Sequence, residues 1–62
     1  MTTLTSLHKY KQHLEERYLK LIESSNDYKF IDEHESDNYA FKAMKILQKI
    51  NKVNYLEREV LN

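Results

Sequence analysis

From Leu4 onward, apolar side chains recur at Leu7, Leu14, Tyr18 and Leu21, with Tyr10 and Ile22 alongside. Steps of three and four mark one face of an amphipathic helix, and the pattern predicts a first helix over about residues 5–25. Thr3, Thr5 or Ser6 can supply the N-cap oxygen, and Glu16 and Lys20 on the polar side have the spacing of an i,i+4 ion pair. Lys11 interrupts the seam at a would-be core position. Its aliphatic stem can snorkel to the edge, and a single cation there can select register or partner at some cost in stability.

A second helix is predicted over about residues 37–60. Tyr39, Ala43, Ile46, Ile50, Val53 and Val60 form one stripe; Ala40, Met44, Leu47 and Leu61 widen it on one side and Leu56 on the other. At 100° per residue these positions cover more than half the circumference, whereas packing on one neighbour needs only about 100°. The second helix therefore needs more cover than the first alone can give. Its start has two readings. Asp32-Glu33-His34-Glu35 fits a capping box, with Asp32 accepting from the Glu35 amide and the Glu35 carboxylate reaching back; Ser36 or Asp37 offers a later cap.

The stretch between, about residues 26–36, must reverse the chain. Ser24-Ser25-Asn26-Asp27 collects side chains that compete for backbone groups, and Asn26 or Asp27 is the best substitute for a left-handed glycine cap. Tyr28, Phe30 and Ile31 are too apolar for a bare loop, so they are expected to fold over the end of the helical pair.

The architecture that follows is an all-α, two-helix antiparallel hairpin occupying residues 1–62 as a single domain. Composition strengthens it: the 62 residues include no glycine and no proline, so turns needing positive φ, Gly-rich phosphate loops and Gly-cornered hairpins are all disfavoured. A chain this short buries only about 60% of its unfolded surface, and with no cysteine it has neither disulfides nor Cys-based zinc to steady it. Association is the remaining device. Dimerisation into a four-helix bundle is expected, its core drawn from Leu7, Leu14, Tyr18, Leu21, Ala43, Ile46, Leu47, Ile50 and Val53. The rival is a hairpin completed by a different protein.

Ten basic residues balance ten acidic ones, so no global field recruits nucleic acid or an anionic membrane. The amino terminus lacks the basic flank and apolar run of a secretion signal, and no stretch approaches a membrane span; a cytoplasmic protein is expected. Eight lysines and five asparagines against two alanines suit an AT-rich genome, such as those of many bacteria and phages.

Locally, Lys42, Lys45, Lys49 and Lys52 fall on one ridge of the second helix, read from the sequence as facing away from its apolar stripe. Such a row can follow a phosphate backbone, or it can be a solvated face whose cations answer an acidic first turn. Small RNA-binding hairpins of the Rop type are similar in length and dimeric four-helix form, a likeness of architecture without a shared residue motif. His13 with Glu16, and Glu33-His34-Glu35, have metal-ligand chemistry but lie off the core stripes in the wrong order for a Glu-x-x-His bundle site, so neither metal nor cofactor is expected. A hairpin also has no volume for a dry, concave pocket, and no enzyme is expected. Phe41 and Tyr55 lie off the main stripe, next to Met44, and the three form a candidate protein-docking patch. The sequence thus points to a homodimeric, non-enzymatic interaction or regulatory module whose partner is another protein, with a Rop-like RNA binder using the lysine ridge as the alternative.

Overall fold

The computed structural model describes residues 3–61 as two α-helices, α1 (Thr3–Tyr28) and α2 (Glu33–Leu61). They lie antiparallel in a hairpin measuring 46 × 17 × 10 Å. The all-α hairpin expected from the hydrophobic pattern is therefore present, and both helices run further than the apolar stripe alone marked. Thr3, Thr5 and Ser6, the cap candidates, all lie within α1, and the position preceding Thr3 is outside the described residues.

The connection is four residues rather than eleven, because Asn26, Asp27 and Tyr28 stay helical and α2 starts early. No described residue has positive φ, so neither Asn26 nor Asp27 plays the left-handed cap. The reversal is made instead from right-handed turns: the Lys29 amide donates to the Asn26 carbonyl (3.3 Å), and the Ile31 and Asp32 amides both donate to that of Tyr28 (3.0 and 2.8 Å). These bonds satisfy carbonyls that a helix end leaves without an in-helix partner. A chain without glycine can turn here because nothing in the turn requires glycine.

Asp32 is the cap of α2, the earlier of the two predicted starts. One carboxylate oxygen accepts from the His34 and Glu35 amides at 3.1 and 3.3 Å. The return bond expected from Glu35 is not made, since the Asp32 amide is already donated to Tyr28. Glu33 and Glu35 place negative charge in the first turn and Arg58 positive charge in the last, as the helix dipole favours. Ser36, the alternative cap, is a helix-interior residue; its amide donates to the Asp32 carbonyl at 3.0 Å.

Core burial is narrow. Leu14, Ala43, Ile46, Ile50 and Val53 are buried, and Leu7, Tyr18 and Leu21 pack against them while keeping part of their surface in water. Leu47 is half-buried. The seam that a single chain can close is thus drawn from the residues that the stripe selected, with α2 supplying four of the five buried side chains. Part of α2's broad stripe stays uncovered, since Met44, Leu56 and Val60 are exposed, as are Phe41 and Tyr55 outside the stripe.

Two expectations about apolar residues fail. Phe30 and Ile31 do not fold over the end of the hairpin; they are 92% and 80% exposed, because a four-residue turn places them at its outer edge. Tyr28 is also exposed but stacks on Tyr39, with ring centroids 5.6 Å apart and planes 22° from parallel. Tyr18 and Tyr39 are half-buried, but Tyr10, which its spacing sets alongside the apolar face of the first helix, is exposed.

Candidate functional site

Three features along the hairpin carry chemistry. The first is a clasp beside the turn. Ser25, in the last turn of α1, faces Ser36, in the first turn of α2 and only 7% exposed. The Ser36 hydroxyl donates to the Ser25 carbonyl (2.7 Å) and the Ser25 hydroxyl donates to the Ser36 carbonyl (2.9 Å). Each hydroxyl has one proton, so with both donated to carbonyls the 3.2 Å approach of the two oxygens is a close contact produced by the pairing. An alanine or larger apolar residue at either place loses one bond of the two. The groove beside the clasp, about 440 Å³, is lined by Asn26, Lys29, Phe30, Glu33 and Asp37 as well as the serines. Both signs of charge meet there, and no described group of three or more His, Asp or Glu side chains could hold a metal ion.

The second feature is at the open end. Lys11, the cation in the seam, reaches across to Glu57: Nζ lies 3.7 Å from Oε2, and His8 Nε2 lies 3.9 Å from Oε1. Glu57 is largely buried, and its Oε1 has no hydrogen-bond partner. Lys11–Glu57 is the lysine–carboxylate ion pair among the described residues, with the His8 imidazole beside it; the predicted Glu16–Lys20 pair is not formed. Glu57 had no signal in the stripe analysis because a carboxylate reads as surface. Only the pairing of the helices shows that it sits opposite Lys11.

The third feature is the lysine row. It does not face away from the apolar stripe, as the sequence suggested, but flanks the seam. Lys42, Lys45 and Lys49 surround a trough of about 170 Å³ floored by Leu21 and Ile46, and Arg17 of α1 completes the wall from the other side. A second trough of about 340 Å³ follows, lined by Tyr10, Lys49, Lys52, Val53 and Leu56. Lys49 belongs to both, so the two are neighbouring lengths of one channel along the seam. None of its five cations is ion-paired among the described residues, and no carboxylate lines either length. Lys42 and Lys45 rest near aromatic faces, 5.7 Å from the Tyr39 ring and 4.7 Å from the Phe41 ring, which fixes their stems on α2 without neutralising them. Sequence reasoning found the four lysines but not Arg17, whose place depends on which residues α1 sets beside α2.

Phe41, Met44 and Tyr55 are all exposed, and Tyr55 stands eleven residues beyond Met44, about 16 Å along the helix. No helix of the described residues is long and apolar enough to cross a membrane. No protein-family model, no curated protein and no solved structure matches the chain.

Proposed function

We propose that the protein is a non-enzymatic helical interaction module that acts as a homodimer, with Phe41, Met44 and Tyr55 on the outer surface of α2 available to a second protein. The observation that carries this reading is the mismatch between the apolar surface of the hairpin and what one seam can cover. Among the described residues, ten large apolar side chains are exposed against five buried apolar residues. Exposed patches of this kind mark interaction surfaces.

Charge selects the face on which a second copy fits. A two-fold dimer brings each patch against itself, so pairing through the basic channel sets Lys42, Lys45, Lys49 and Arg17 against their own copies. Counting 100° per residue, Ile22, Ala40 and Leu47 fall on the other side of the seam, half-buried, with exposed Leu19 beside them. That face has no row of one sign: by the same count Glu15 and Arg58, opposite in charge, lie beside the apolar residues, and closing it on a copy produces a four-helix bundle with both basic channels outward.

Light scattering across a dilution series, with circular dichroism on the same samples, tests this. The expected result is a helical dimer whose mass and helicity fall together on dilution. A fully helical monomer at every concentration overturns the homodimer, and a poorly helical monomer points to a hairpin completed by a foreign protein.

A further inference from the structure

We infer that the channel walled by Arg17, Lys42, Lys45, Lys49 and Lys52 binds the backbone of a single-stranded nucleic acid. The inference does not rest on the dimer, because the channel is complete within one chain.

The row runs with the helix axis. From Lys42 to Lys52 is ten residues, about 15 Å, with a cation at each turn and Arg17 opposite. A polyanion gains from such a row in a way an acidic protein segment does not: it carries condensed counterions, and every phosphate neutralised releases them. Pairs between exposed lysines and a peptide carboxylate are worth little after solvent screening. An amphipathic acidic helix would instead need apolar holes in the floor to anchor it. Ile46 and Val53, at 5% and 3% exposed, have their surfaces already spent on α1, which leaves Leu21 and Leu56 as the apolar surface beside the five cations. The channel therefore favours a ligand held by charge.

Tyr10 decides between one strand and two. It is exposed in the channel wall beside Lys49 and Lys52. An aromatic ring next to cations is a stacking platform for an unpaired base, which a duplex keeps in its own stack. Loss of a stacked base weakens binding without changing the number of phosphates neutralised.

Fluorescence anisotropy of end-labelled twelve-nucleotide oligo-uridine and oligo-thymidine, titrated with the full chain, tests the inference. If Arg17, Lys42, Lys45 and Lys49 each neutralise one phosphate, the slope of log K against log salt is about −3, so affinity falls about fifty-fold between 50 and 200 mM salt. Lys45→Gln with Lys49→Gln, both exposed positions, should lower affinity about ten-fold at 50 mM salt and flatten the slope by about one to one and a half, with circular dichroism unchanged. Lys29→Gln, at the turn and outside the channel, should alter neither. Tyr10→Ala should weaken binding about ten-fold while leaving the slope unchanged. Absence of binding at about 100 µM protein in 50 mM salt overturns the inference, as does equal loss from the Lys29 variant. A duplex of equal length that binds as tightly, with Tyr10→Ala silent, overturns its single-stranded form. Equal binding of a labelled polyglutamate with the same salt slope overturns it in favour of an acidic protein.

Discussion

Two side-chain pairs, one at each end, fix how the helices meet, and they differ in kind. The serine pair joins neutral groups whose bonds are returned: each hydroxyl serves the other's carbonyl. It also meets a need of the backbone, since Ser25 lies in the last turn of α1, where carbonyls lack in-helix partners. Ser36→Ala removes a donor at a buried position, and the expected cost is about 1 kcal/mol. For a chain of this size that is a fall of about 4–8 °C in melting temperature, readable by thermal circular dichroism. Ser25→Ala/Ser36→Ala should cost less than the sum of the two single changes, because both act on one paired unit. Additive losses would mean that the two hydroxyls work independently. The Lys11–Glu57 pair carries the opposite risk. Removing the cation alone by Lys11→Met leaves a largely buried carboxylate with only distant His8 for company, an expected loss of about 1–3 kcal/mol. Lys11→Met combined with Glu57→Leu should recover most or all of it, since an apolar pair of similar volume has no desolvation penalty. Chemical denaturation of the three proteins decides the matter; a double variant no more stable than Lys11→Met shows that the pair itself was needed.

At the scale of the helix, what could be read from the sequence is what a period of 3.6 controls. Leu14, Ala43, Ile46, Ile50 and Val53 were all picked out by spacing, and all are buried, because side chains one or two turns apart share a face whatever the partner is. What escaped depends on the partner. Arg17 joins the lysine row, and Glu57 meets Lys11, only once α1 and α2 are set at one particular register. Ser25 and Ser36 were read as turn and cap residues, since serine favours both; nothing in either side chain alone says that it will find the other. The turn was overestimated for a similar reason. Asn and Asp signal a stop in sequence, but Asn26 and Asp27 remain helical once the Tyr28 ring stacks on Tyr39 and the Tyr28 carbonyl is satisfied by two amides. The seam itself has a sharp test. Ile50→Asp places an unpaired carboxylate among Leu14, Ile46 and Val53, and with so few buried apolar residues to draw on the hairpin should lose its cooperative thermal transition. A cooperative melt retained by that variant, followed by circular dichroism, would refute the core.

Considered whole, the molecule is a slab 10 Å thin with different chemistry on its two sides. On one side lies a channel of unpaired cations; on the other, Ile22, Ala40 and Leu47 are left half-covered. Net neutrality hides this, because the acidic residues are gathered elsewhere, Glu33, Glu35 and Asp37 among them at the turn end. Such an arrangement makes stability and association one quantity: a copy that covers the Leu47 side binds the folded chain and not the unfolded one, so it stabilises the fold by mass action. The melting temperature should accordingly rise with protein concentration. Leu47→Glu puts a charge at the centre of that side while leaving the buried seam intact, and it should abolish that concentration dependence and lower the mass to that of one chain. Tyr55→Ala, on the outer surface of α2, should leave both unchanged if that residue serves a second protein instead. Should Leu47→Glu still melt at a temperature that climbs with concentration, the copies meet on a different face. Loss of the dependence in Tyr55→Ala alone would transfer the self-association to the outer surface of α2, where Phe41 and Met44 are also exposed.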